Sequence, residues 1–391
     1  MKKIIVSIFL LFLSITIVAC NQTPTLYVLN WGEYMNEDLI EKFELENGVK
    51  VELQLADSNE LMEEKVKNQT TAYDIVIPSD YMIEKLYDEG YLQKIDLAKL
   101  TNYSENNFLD GVNVVMSGMF SDNDDITTAY EVSIPYFWGV FGIMYNKSLD
   151  GLETYIQDNG WAVFFEEQPS TFTRDLKVGM YDVPRFAYSL SMLYADQAGL
   201  VDDEDALNVA TDEYLTLSEQ VLSMKEYDEW HTDMLKKNVN QGILDYAFVY
   251  VGDFFDTYLS LTEDATTELE ARELTDHIGI YVPEKTIAFY DGMIIPKNAR
   301  NTDLAHKFID FFLDPQNAYE NSGIVGYTTT LKLTYDMIYN ATEGDIVRSV
   351  MVKDYPYNPM TSDNFQGKPL IAFSTEFTYD IASMVNNVKA K

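Results

Sequence analysis

One cysteine, Cys20, stands in a chain of 391 residues. A disulfide framework and a multi-thiolate zinc site are therefore closed to this protein. Histidine is almost as scarce. His231, His277 and His306 are scattered along the chain, and His306 reads as a surface residue of an amphipathic helix. Scattered in this way, they point away from a His-based triad and from a zinc site. No GxGxxG, Walker loop, HExxH or GxSxG pattern occurs. Basic residues are few as well: 27 Lys and Arg face 64 Asp and Glu, for a formal net charge of -37. Such a surface repels nucleic-acid phosphates and anionic lipid heads and attracts cations. The same charge would also serve solubility alone. These shortages point to a chain with no cofactor, no metal, no nucleic-acid partner and no catalysis. The one enzymatic alternative left is a pair of carboxylates hydrolysing a glycoside, and with 64 acids such a pair is easy to find by chance.

Hydrophobic residues make up 47% of the chain, which argues for a folded protein. The length is ample for two domains. The first nineteen residues read as a signal peptide, with a basic MKK start and an apolar run IIVSIFLLFLSITIVA too short for a stable membrane span. The run ends in Ile17, Val18, Ala19 and then Cys20, the arrangement of a bacterial lipobox. Cys20 is the expected lipidation site, and residues 20–25 the tether. The protein is then expected on the extracytoplasmic face of the cell membrane, or in the periplasmic space of a Gram-negative cell. The lipid would be its sole membrane anchor.

From Leu26 onward the pattern alternates strand and helix. TLYVLNW reads as a strand, with Asn36 as a helix cap and Gly48 as a helix stop. VKVELQLA alternates as a strand, and Asp57 with Glu60 suits a capping box for the next helix. YDIVIP is apolar enough for the centre of a parallel sheet, and SDYMIEKLYDEG follows as a helix stopped by Gly90. This order predicts an α/β fold with helices on both faces of a parallel sheet. Residues 201–238 read as helical, DYAFVYVGD as a buried strand, and the tail beyond 332 as helices joined by a loop holding Pro356 and Pro359.

Aromatic and acidic residues recur together at the ends of strands. The groups are Trp31-Gly-Glu33-Tyr34, Ser79-Asp80-Tyr81, Tyr136-Phe137-Trp138, Tyr250-Val-Gly-Asp253 and Phe289-Tyr290-Asp291. In open α/β sheets, ligands bind beyond the carboxyl ends of the strands. Ring faces attract cations and carboxylates pair with ammonium groups. An alkyl diamine needs both: rings along its methylenes and acids at its ends. Any one group could equally be core aromatics beside solvated acids.

LYVLNWGEYMNEDLIEKFELENGVKV, YDIVIPSDYMIEKLYDEGYLQKID, SIPYFWGVFGIMYN, FYDGMIIPKNARN and GIVGYTTT resemble segments of the spermidine/putrescine receptors of bacterial ABC importers. The resemblance is strong over residues 26–146 and 285–330. It implies a two-lobed periplasmic-binding-protein-like fold (type II), with a ligand cleft between lobes hinged by crossing strands. The lobes are expected as 26–132 plus 277–313 and 133–276 plus 314–391. The partners implied are a polyamine ligand, an ABC permease and, through it, ATPase subunits, with the receptor acting as a monomer. A receptor of the same fold for another small solute stays open.

Carried over residue by residue, the resemblance implies one wall from Trp31, Glu33 and Tyr34 and another from Ser79, Asp80 and Tyr81. Trp138 comes from the I-P-Y-x-W-G segment. Tyr250 stands where the family usually has Trp, and Asp253 is the expected partner of a primary ammonium. Tyr290 and Asp291 lie near the hinge, and Glu320 falls near a family Gln. One turn departs from the pattern. At Tyr181-Asp182-Val183-Pro184-Arg185-Phe186, Asp182 and Arg185 remain, but Val183 and Phe186 replace the family's carboxylates for the far amine. The length of the ligand, and its identity among the polyamines, therefore stay open.

Overall fold

Strand Thr25–Asn30 runs parallel between Lys50–Leu55 and Ile75–Val76. The apolar side chains of this central strand are buried, as its position between two neighbours requires. The computed structural model describes residues 23–68, 70–120, 125–203, 205–342, 345–358 and 366–391. The signal peptide, Cys20, the start of the tether and Pro359 lie outside the described residues.

The caps explain where the first helices begin and end. Helix Glu37–Asn47 opens on Asn36, whose side chain accepts from the Asp38 amide, and closes on Gly48 at φ 65. Only glycine takes that left-handed conformation without cost. The expected capping box of Asp57 and Glu60 does not form. Helix Asn59–Asn68 begins one residue later, and the Ser58 hydroxyl accepts from the Leu61 amide at 3.1 Å. Helix Asp80–Asp88 follows the third strand after three residues.

Two long strands join this sheet to a second one. Ile134–Asn146 is buried along all 13 residues and pairs antiparallel with Lys285–Met293. The second of these reaches the first sheet through bridges Ser79–Asp291 and Val76–Ile294. The far half of the first pairs with Tyr246–Tyr250, which runs parallel to Val178–Tyr181 and so to Glu229–His231. Ile278–Tyr281, assigned on sequence to the first lobe, pairs antiparallel with Ile143–Asn146 in this second sheet. Helix Pro315–Val325, assigned on sequence to the second lobe, is tied to the first helix by Lys42 donating to Asn317 Oδ1 at 2.7 Å.

Three further expectations change. Residues 201–238 are interrupted: helices Asp212–Leu222 and Met234–Asn240 flank the short strand Glu229–His231. The tail has helices Lys332–Tyr339, Ile346–Asp354 and Thr375–Lys389, but Gln366–Lys368 adds a strand beside Lys285–Ile287. His306 is buried, not superficial. Its Nε2 accepts from the Asp96 amide at 2.9 Å and its Nδ1 donates to the Thr302 carbonyl at 2.7 Å. With both ring nitrogens satisfied, it is a structural residue. Among the described residues no helix is long and apolar enough to cross a membrane, and no group of His, Cys, Asp and Glu is placed to hold a metal ion.

Candidate functional site

Asp291 sits where the two crossing strands meet the first sheet. Neighbours along a strand point to opposite faces, so Phe289 and Asp291 share one face and Tyr290 takes the other. Both carboxylate oxygens of Asp291 are held by hydroxyls from other elements. Tyr34 donates to Oδ2 at 2.7 Å and Ser79 donates to Oδ1 at 2.7 Å. Asn59 steadies Ser79 by donating to its Oγ at 3.1 Å and accepting from its amide at 2.9 Å. Burial pushes the Asp291 carboxyl up to about 6, against the pull of these two hydroxyl bonds. No ion pair to Asp291 occurs among the described residues.

Tyr34 reaches this position because the chain turns sharply after the first strand. Glu33 is at φ 51, a left-handed conformation rare for a residue with a Cβ. The turn leaves Glu33 exposed and sends Tyr34 inward. The Tyr34 carbonyl accepts from the Tyr136 hydroxyl at 2.9 Å, and that hydroxyl accepts from Asn321 Nδ2 at 2.8 Å. Asn321 also accepts from the Asn36 amide at 2.9 Å. Next to Ser79, Asp80 is buried. One of its oxygens accepts from the Tyr81 amide at 2.8 Å, while Oδ2 has no hydrogen-bond partner. Burial raises its carboxyl well above the usual range. The Tyr81 hydroxyl donates to Glu60 at 3.4 Å.

Aromatic rings link this acid wall to the second sheet. The Tyr34 ring meets Phe137 at 5.2 Å and Tyr327 at 5.0 Å, both edge to face. The Tyr250 ring meets Phe141 at 4.1 Å, Phe289 at 5.0 Å, Tyr181 at 5.2 Å and Phe186 at 5.6 Å. Tyr327 touches both groups, lying 6.4 Å from Tyr250. Its seat depends on Gly252, where a Cβ would fall 2.5 Å from the Tyr327 ring. Asp253 follows at the start of helix Val251–Leu261, where negative charge suits the helix dipole. Burial pushes its carboxyl up to about 6, although Lys236 pulls the other way.

The structure thus gathers Tyr34, Ser79, Tyr250, Asp253 and Asp291 around one aromatic cage, with Asp80 and Tyr81 adjoining it through Ser79. Trp31 is half-buried, with a buried indole N–H that has no partner. Four expected residues do not join the cage. Tyr290 points to the opposite face, where its hydroxyl bonds with Ser133 at 2.8 Å and Met119 Sδ at 2.9 Å. Trp138 lies opposite Tyr290 in the pairing, on that same far face, and is fully buried. Asp182 turns outward and pairs with Lys389 of the last helix at 2.6 Å. Glu320 is exposed and accepts from Gln316 at 2.9 Å, while the next residue, Asn321, is the one turned inward. One helical step of about 100° makes that difference.

Arg185 is committed elsewhere. It is buried 3.9 Å above the Phe373 ring and donates to Ser189, Leu207 and Asn208. Burial lowers its guanidinium to about 10. Sequence reasoning gave Tyr327, Tyr181 and Lys236 no place in the site, and named Phe289 only as part of a strand-end group. The G-Y-x-T turn carried the signal for Tyr327, and strand alternation from Asp291 carried the signal for Phe289.

The arrangement can hold a cation with an apolar body: carboxylates at the ends and ring faces between. A family model described as bacterial extracellular solute-binding protein matches residues 38–342. The chain is 29% identical to a spermidine/putrescine-binding periplasmic protein of Salmonella typhimurium over 310 residues, covering 79% of this chain and 78% of the relative. It is 26% identical to a putrescine-binding periplasmic protein of Pseudomonas aeruginosa over 332 residues, 82% of each. In fold it is similar to the spermidine/putrescine ABC transporter substrate-binding protein of Streptococcus pneumoniae, with a TM-score of 0.67 and 24% identity over 94% of this chain and 99% of that one. The two sheets joined by crossing strands are the two-domain architecture of periplasmic solute-binding proteins, and the family places the chain outside the cytoplasm. The chain belongs to the bacterial extracellular solute-binding protein family.

Proposed function

We propose that this protein is the lipid-anchored receptor of an ABC importer and binds a polyamine, putrescine or spermidine, between its two lobes. The observation that carries this reading is Asp291. It is a buried carboxylate bonded by two neutral hydroxyls, facing a cage of rings, with no cation of the chain's own beside it among the described residues. A ligand ammonium supplies the missing charge, and Tyr34, Tyr250 and Tyr327 cover the methylenes. The ligand touches both lobes and so favours the closed state, which the permease reads. The protein carries out no catalysis. The relatives named above bind spermidine or putrescine by their names, which supports the same ligand class here.

Calorimetry on delipidated protein with putrescine, spermidine and the uncharged 1,4-butanediol tests the reading. Binding of an amine and not the diol is expected. No amine binding at millimolar concentration sinks the proposal. Anchoring is tested separately: Cys20→Ser is expected to move the protein from the membrane fraction to the soluble one.

A further inference from the structure

The second lobe supplies its own ammonium group to the cage. Lys236, on helix Met234–Asn240, places Nζ 2.7 Å from Asp256 Oδ2 and 3.7 Å from Asp253 Oδ1. The side chain is only 15% exposed. Asp253 is the acid that faces the rings. It lies near enough to Tyr181, Tyr250 and Tyr327 to push their phenols up, after burial itself. Glu33, on the turn of the first lobe, also acts on Lys236 across the cleft. The other acid expected in this lobe, Asp182, is taken by Lys389. In the first lobe, by contrast, Asp80 and Asp291 have no lysine or arginine partner among the described residues. The charge of Asp291 is uncompensated while that of Asp253 is partly cancelled.

We infer that Lys236 is a specificity-determining residue: its tethered ammonium competes with the second amine of a ligand at Asp253, so the site discriminates weakly between a diamine and a monoamine of equal length. The inference rests on the amine-receptor reading above. A diamine entering the cage sets one ammonium against Asp291 and the other near Lys236. There it gains the attraction of Asp253 and suffers the repulsion of Lys236. A monoamine uses Asp291 alone and is indifferent to Lys236. The position of Lys236 between two acids makes a positioning role the competing explanation, and the two explanations differ in sign. If Lys236 merely steadied Asp253, removing it would weaken diamine binding.

The test is calorimetry with putrescine and with n-butylamine on the wild type and on Lys236→Gln, folding being checked by circular dichroism. Putrescine is expected to bind the variant about tenfold more tightly or better, because a like charge a few ångströms away has been removed. Butylamine is expected to change by less than about twofold. Unchanged or weaker putrescine binding overturns the inference, as does an equal gain by butylamine. Asp256→Asn gives the opposite sign. It deprives Lys236 of its nearest partner and leaves it to Asp253, so putrescine is expected to weaken by about threefold or more. If Lys236→Gln does not fold, this second variant decides, and unchanged or tighter putrescine binding overturns the inference. Wild-type protein that binds neither amine overturns the receptor reading itself. Wild-type protein that binds putrescine, with variants that move the wrong way, overturns this inference alone.

Discussion

Asp291 and Asp253 are both buried carboxylates at the edge of one aromatic cage, and burial pushes both up to about 6. Their surroundings differ. Asp291 is held by the neutral hydroxyls of Tyr34 and Ser79, whereas Asp253 has Lys236 at 3.7 Å. Hydroxyls orient a carboxylate and leave its charge in place; a lysine cancels it. The acid of the first wall is therefore left without a cation among the described residues, while that of the second is partly answered by a lysine. The same residue type performs different tasks because of what the fold sets beside it.

The largest test of this asymmetry is Asp291→Asn. It removes the one strongly held, uncompensated charge and leaves the Tyr34 hydroxyl facing an amide. Truncating one side of a buried, hydrogen-bonded charge pair costs about 2–5 kcal/mol. Amine affinity should fall on the order of a hundredfold or more in calorimetry. Asp253→Asn should cost less, because Lys236 already shields that acid. Equal losses from the two variants would remove the distinction between the walls.

Much of this first wall was legible in the sequence. Trp31 follows its strand directly and Ser79 follows its own after two residues, so local pattern fixed their place at a strand end. Asp291 was named with them as a strand-end acid, but it lies inside strand Lys285–Met293. Its neighbour Tyr290 was not excluded, because the residues alone do not say which face of a two-sided buried strand meets the ligand. Trp138 failed on the same point: all 13 residues of its strand are buried, so no polar alternation marks a face. The second wall was harder. Lys236 approaches Asp253 only because helices Met234–Asn240 and Val251–Leu261 lie side by side, and nothing in their separate patterns says so. The pairing of Asp182 with Lys389 joins residues 207 apart in sequence. His306 was misplaced because one amphipathic stripe cannot show that the Asp96 amide caps its ring.

A smaller effect is expected from pH, and it carries two opposite signs. Asp253 and Asp291 bind protons more tightly in the folded protein than in the unfolded chain, where a carboxyl titrates near the usual 3.8. Between about pH 4 and 6 the folded state therefore holds more protons, and stability rises as pH falls through that window. Ligand binding goes the other way, since an ammonium needs the ionised carboxylates. From pH 7 to pH 5, amine affinity should drop by about tenfold for each carboxyl that must ionise. Melting temperature of the free protein tracks the first sign and calorimetry the second. An amine affinity that holds steady from pH 7 to pH 5 would show that these acids are not the ones the amine uses.

The smallest effect is expected at Asp182, and it bears on how far the second wall extends. The resemblance to polyamine receptors placed Asp182 in the ligand set, yet its carboxylate turns outward to Lys389 on the last helix. An exposed pair of this kind contributes little, so Asp182→Asn should change stability by no more than about 0.5 kcal/mol. Amine affinity should be unchanged within about twofold, because the charge removed was already answered by Lys389 and lies away from the rings. Tyr181 and Phe186, one residue before and four after, are the groups of this turn that do face the cage, against Tyr250 at 5.2 and 5.6 Å. A tenfold loss of putrescine binding in Asp182→Asn would mean that Lys389 lets go and Asp182 swings inward when the ligand enters. The second wall would then carry two acids, Asp182 and Asp253, for the far amine.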